Sequence, residues 1–167
     1  MTKVLQVLVG LFCFALVGCS VASNEVAAGN ISDINHVEGT AINWFSVNGY
    51  RASGGGGEQC CIVLPIRWRP GLMLEIEWEV DPDTSVKLPS ITSDEFHSAY
   101  KKHAEGYRIH RASVEVPEWS GTDSCGLKVH FLPCNQVKVT TSCWGYGSPN
   151  NPIKEPRNMK EPAVCPG

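Results

Sequence analysis

Nine consecutive residues, Leu72 to Val80, constrain this chain more than any other stretch. Leu72, Leu74, Ile76, Trp78 and Val80 are apolar, and Glu75, Glu77 and Glu79 alternate with them. Side chains of a strand point alternately to opposite faces, so this pattern fits a strand with one face in a core and the other in water. The glutamate stripe is therefore read as the wet face of that strand, not as a paired-carboxylate site, which would need one acid buried. Ahead of it, Arg69-Pro70-Gly71 has the form of a turn: proline fixes φ at the first central position, and glycine tolerates positive φ at the next. Cys61 to Trp68 is apolar and β-branched, and with Leu72–Val80 it reads as a hairpin. Pro65 puts the first arm at a sheet edge or a bulge.

The remainder reads similarly. Ala41 to Val47 has strand composition, Asn48-Gly49 is a turn, and four glycines fill positions 54 to 57. Thr92 and Glu95 have capping-box spacing, Phe96, Ala99, Tyr100 and His103 recur at helical intervals, and Gly106 is a stop. Tyr107 to Val116 reads as a strand ended by Pro117. Leu127–Leu132 and Gln136–Thr141 form a hairpin around Pro133-Cys134-Asn135. From Gly145 the chain is rich in proline and asparagine without periodicity, an extended tail that Cys165 staples down. The fold class expected is mainly β (α+β): an antiparallel sheet, sandwich or partial barrel of about six strands with one helix packed on it.

The N-terminus has the form of an export signal. Lys3 precedes an apolar run from Val4 to Val17, shorter than the roughly 20 residues a membrane-spanning helix needs. The run ends in Leu16-Val17-Gly18-Cys19, which resembles the lipobox of bacterial lipoproteins, where the cysteine thiol takes a diacylglycerol. Four segments follow: a signal peptide (1–18), the lipidated Cys19 with a small, polar tether (19–39), a β-rich domain (40–145) and a Pro-rich tail (146–167). Ser20 after the cysteine resembles an outer-membrane sorting signal, so the expected place is the cell envelope, lipid-anchored to the outer membrane and facing the periplasm. Without Lys3 the chain has 13 basic and 17 acidic side chains. This mild acidity, with no basic cluster, argues against nucleic acid as a partner.

After the signal and Cys19, six cysteines remain: Cys60, Cys61, Cys125, Cys134, Cys143 and Cys165. An even count in an oxidising compartment reads as up to three disulfides. Cys60 and Cys61 are adjacent, so each is expected to reach a different distant partner. No Cys or His spacing matches a metal site, so no metal is expected. His97, His103 and His110 are not spaced to share a helix face, and His130, between Val129 and Phe131, is expected to face solvent or a neighbouring strand. No Gly-x-Ser-x-Gly elbow and no phosphate loop occur. The reading is a binding protein rather than an enzyme, with no catalytic residues and no cofactor.

Phe45-Ser46-Val47-Asn48-Gly49-Tyr50 resembles a family of small Gram-negative lipoproteins known chiefly as a domain of unknown function. So does Gly-Gly-Gly-Gly-x-x-Cys-Cys-x-x-Leu-Pro-x-x-Trp-Arg-Pro-Gly-Leu, spanning 54 to 72. Val114-x-Val116-Pro117, Val129-His130-Phe131-Leu132-Pro133 and Val137-x-Val139 continue the likeness over most of 40 to 145. Members often lie beside phospholipase effectors of the type VI secretion system. The resemblance thus implies an immunity lipoprotein that binds a secreted lipase-type effector in the periplasm. Cysteines 125, 134, 143 and 165 and the long tail depart from the family pattern. The partner-binding face expected here includes Tyr50, Gly55, Gly56, Glu58 and Trp119, with Trp44 nearby, because aromatics dominate interface energies. The alternative is a structural or assembly lipoprotein of the outer envelope, and an enzyme with a scattered site ranks behind both.

Overall fold

The computed structural model describes residues 25–120 and 124–166; the signal segment and the lipid-site candidate Cys19 lie outside them. The described chain is mainly β, with two four-stranded sheets, one helix (α1, Phe96–Ala104) and no closed barrel. The strands are β1 (Val26–Asn35), β2 (Ala41–Val47), β3 (Tyr50–Ser53), β4 (Gln59–Pro65), β5 (Met73–Asp81), β6 (Arg108–Glu115), β7 (Leu127–Leu132) and β8 (Gln136–Thr140). One sheet has the order β4-β1-β7-β8 and the other β3-β2-β5-β6. β3 approaches β4 and β6 approaches β8, so the sheets draw together along both sides.

The core lies between them. Phe131 of β7 meets Phe45 of β2 at 5.8 Å and Trp78 of β5 at 5.4 Å between ring centroids. The β5 alternation holds: Leu74, Ile76 and Trp78 are buried, while Glu75, Glu77 and Glu79 lie on the wetter face. The Asn48–Gly49 turn forms with both residues at positive φ, the geometry that matches the twist of a two-residue hairpin. The hairpin at 133–135 forms as read, joining β7 to β8.

Four expectations are corrected. First, β4 and β5 are not a hairpin: β4 pairs with β1 and β5 with β2 and β6, in different sheets. The intervening turn is a crossover, anchored where Trp68 Nε1 donates to the Val116 carbonyl at 2.9 Å. Second, the segment read as tether contains β1, whose Ile31, Ser32 and Asp33 are buried. With the short β3, also not expected, it brings the strand count from six to eight, and it runs parallel to β7, so the first sheet is mixed. Third, α1 starts past the expected box: Thr92 Oγ1 bonds Ser90 Oγ, and Ser93 receives the amides of Glu95 and Phe96. No residue of α1 is buried.

The fourth concerns the cysteines. Three disulfides form, as the even count implies, but Cys60 and Cys61 pair with each other across a cis peptide. The other four pair among themselves, Cys125 with Cys143 and Cys134 with Cys165, which leaves the adjacent two no other thiol among the described residues. Cys134–Cys165 ties the tail down. Met159 pairs with Val37 beyond the end of β1, and the Tyr146 hydroxyl donates to the Glu155 carbonyl at 2.6 Å.

Candidate functional site

β4 pairs with β1 only as far as Ile31, opposite Gln59; before Gln59 the chain leaves the sheet as the glycine loop. β3 in turn pairs with β2 only from Trp44 onward. These two departures open a gap between residues 32–35 and residues 40–42, and a cleft of about 570 Å³ fills it. Gly55, Gly56 and Glu58 form one wall, and Lys128, Tyr146 and Arg157 another. The volume falls in the range of ligand sites, while the lining is more polar than theirs.

Glycine is required at this wall. A Cβ on Gly54 would lie 1.8 Å from the Ile42 carbonyl oxygen, so only bare backbone fits there. Gly55 and Gly56 take φ of +103° and +83°, a region that penalises residues with a Cβ. That conformation lets the Gly56 N–H donate to Asp33 Oδ1 at 2.9 Å. Asp33 is only 2% exposed. Burial pushes its carboxyl above the ordinary range, and the Gly56 and Gly55 amides pull partly back. Among the described residues, the influences on it are desolvation, which is largest, and the backbone amides of Gly56, Gly55 and Asp33 itself.

On the outer face of the same sheet, under the tail, lies a buried histidine pair. His36 Nδ1 is 2.9 Å from the Pro156 carbonyl, and His36 Nε2 is 2.9 Å from His130 Nδ1. A carbonyl accepts only, so Nδ1 of His36 carries a proton. In the neutral pair, Nε2 of His36 must then accept from Nδ1–H of His130. That leaves His130 Nε2 as a bare acceptor, and it is the buried side-chain polar atom with no partner among the described residues. Burial, with the neighbouring His36 second, lowers the His130 pKa to about 4. Tyr146 packs edge-on against His36 at 5.6 Å, and the Arg157 guanidinium sits 5.0 Å from the Tyr146 ring. His130 is therefore not solvent-facing, because the tail covers the outer face of β7; it faces His36 at the end of the neighbouring β1, the other expected alternative.

Of the residues read as a binding face, Gly55, Gly56 and Glu58 come together in this cleft. Tyr50 is half exposed at the β2–β3 turn, and Trp44 lies beneath the Arg51 guanidinium at 3.8 Å. Trp119 belongs elsewhere. It donates to the Ile66 carbonyl and, with Trp144, lines a second cleft beside the Cys125–Cys143 disulfide. Asp33, His36, Lys128, Tyr146 and Arg157 were missed by the sequence reading, since β1 was taken for tether and the tail for unstructured. The one signal was weak: Ile31 and Ile34 inside a polar run. A further cluster, Cys134, Glu161 and Cys165, has metal-ligand proximity, but its two sulfurs are joined to each other.

No curated protein and no solved structure matches this chain. A family model described as a protein of unknown function, DUF3304, matches residues 34–139, from the end of β1 through most of β8. That span includes the glycine loop, the adjacent cysteines and His130, but stops short of the tail that carries Tyr146 and Arg157. The chain therefore belongs to the DUF3304 family.

Proposed function

We propose that this protein is a lipid-anchored periplasmic binding protein without catalytic activity, whose partner is a secreted lipase-type effector that it neutralises. One observation carries the binding role: a cleft bounded by two strand edges that have lost their sheet neighbours, with a wall of glycines that keeps backbone within reach. Unpaired edges recruit further backbone, which makes them natural docking sites. Three disulfides suit an oxidising compartment, which supports the periplasmic placement. Attachment at Cys19 would hold the inhibitor where a phospholipid-degrading effector acts. The identity of the effector class rests on the family resemblance.

The test is a pull-down of the full chain, solubilised from membranes of its own organism and read by mass spectrometry. Recovery of a lipase-like secreted effector at near-equal stoichiometry, with lipase activity lost in the complex, is the expected result. Recovery of envelope-assembly proteins instead would replace the inhibitor with a structural lipoprotein. Replacing Cys19 by alanine is expected to release the protein from the membrane fraction and abolish labelling by radioactive palmitate.

A further inference from the structure

The tail is held differently from the rest of the molecule. Disulfides fix both its ends, Cys143 to Cys125 ahead of β7 and Cys165 to Cys134 in the β7–β8 turn. Between them, residues 144–164 bond extensively to themselves. The Asn151 side chain donates to the Trp144 carbonyl at 2.8 Å, the Tyr146 hydroxyl reaches the Glu155 carbonyl, and Lys154 Nζ donates to the Pro149 carbonyl at 2.7 Å. Among the described residues, the hydrogen bonds that cross to the sheets centre on the end of β1. The Met159 backbone bonds those of His36 and Glu38, and the Pro156 carbonyl accepts from His36 Nδ1. Elsewhere Lys138 of β8 pairs with Glu155, the Cys134 N–H donates to Glu161, and Ile153 is buried. A segment pinned at both ends and bonded within itself can lift as a unit without being lost.

The contact at its centre has no place for an added proton. His36 Nδ1 must carry hydrogen, because the Pro156 carbonyl only accepts. His36 Nε2 and His130 Nδ1, 2.9 Å apart, share a single hydrogen, because two would collide. The extra proton of a charged pair therefore ends on His130 Nε2, whichever ring is counted as charged. That atom is buried without a partner among the described residues, so the charged form carries a buried N–H with no acceptor. The charged groups around the pair do not compensate. Lys128 lies on the same face of β7, Lys138 stands opposite His130 on β8, and Arg157 flanks the Tyr146 ring. The acid on the tail, Glu155, is engaged by Lys138.

We propose that residues 144–164 form a strap that acid lifts from the outer face of the first sheet, with the His36–His130 pair as its sensor. Lifting gives His130 Nε2 access to water and an ordinary affinity for protons. In the closed form burial holds the His130 pKa at about 4, against 6.5 for a free imidazole. The open form therefore gains a proton first as pH falls, and its share grows about tenfold per pH unit between those two values. Glu155 is not the trigger, because Lys138 holds its carboxyl below the ordinary range and it stays ionised in mild acid. Opening carries Tyr146 and Arg157 away, so the cleft loses one wall, and the two disulfides keep the change reversible. This holds whatever the cleft binds.

The experiment is peptide-level hydrogen exchange of the full chain at pH 7.5, 5.5 and 4.5, each corrected for the intrinsic exchange rate of amides. Opening of peptides from 144–164 should rise about tenfold by pH 5.5 and about seventyfold by pH 4.5, while the sheet β3-β2-β5-β6 keeps its protection. His130→Leu, confirmed folded by its melting curve, should abolish the rise. Glu155→Gln should loosen the strap equally at each pH and leave the rise intact. Equal exchange of the strap at pH 7.5 and 4.5 in the unaltered protein overturns the proposal, whether or not the leucine variant folds. Loss of protection over both sheets together also overturns it, since acid would then unfold the whole molecule. So does a folded His130→Leu protein whose strap still opens in acid.

Discussion

At His130 a fully buried imidazole has Nδ1 committed to His36 and Nε2 bare, in a region where Lys128 and Arg157 further disfavour positive charge. Its folded pKa is lowered to about 4 from an ordinary 6.5, so the unfolded chain binds the extra proton first as pH falls. The associated stability is complete above pH 6.5 and is lost progressively down to pH 4, about 3 kcal/mol in all. Urea unfolding at pH 7.5 and 4.5 should show this loss, and His130→Leu should flatten the difference. Glu155 acts in the same direction at lower pH: its pairing with Lys138 holds its carboxyl below the ordinary range, so that stabilisation is lost as pH falls through the carboxylate range. Gly54→Ala offers a second test. Its Cβ would strike the Ile42 carbonyl, so a loss of about 2–4 kcal/mol is expected from thermal melts, with Gly57→Ala, in open space, nearly neutral. Neither His130 nor Asp33 was legible from sequence. Alternation places His130 on the outer face of β7 correctly, but nothing local says that a tail without periodicity covers that face.

Elements with a two-residue period or a tight turn were readable, because the information is contained in them. β5, the Asn48–Gly49 turn and the β7–β8 hairpin are of this kind. The β4–β5 connection was misread because a Pro-Gly turn says that the chain reverses, not which sheet receives it. β1 was missed because a polar strand buried by its neighbours on both sides carries little pattern of its own. Helix α1 is nine residues long with no buried side chain, and its link to the sheet includes the His103–Asp81 contact at 2.9 Å. A helix this short is marginal without packing. Its amides should exchange with deuterium well before those of β1 and β7, as peptide-level exchange mass spectrometry would show. The tail is held by Cys134–Cys165, which closes a long loop, so replacing both cysteines by serine should cost about 3–4 kcal/mol. Limited proteolysis should then cut between Trp144 and Lys160, where the oxidised protein resists.

For the molecule as a whole, the DUF3304 match ends where the two sheets end, and the tail then adds a third layer over the first sheet. Deleting residues 142–167 removes Tyr146, Ile153 and the Pro156 acceptor of His36, so the truncated protein should unfold at lower urea and bind a hydrophobic dye that the full chain excludes. The parallel pairing of β1 with β7 has a consequence of another kind. A chain synthesised from its N-terminus presents β1 first, yet the residues that flank it on one side, Leu127–Phe131, emerge only after some ninety others. The sheet β3-β2-β5-β6 is complete by Glu115 and has no such wait. During that interval Ser32–Asn35 lacks its β7 neighbour, so the first sheet is expected to close after the second. The molecule is thus set to assemble from the middle of its sequence outward, with its first strand among the last to find a place.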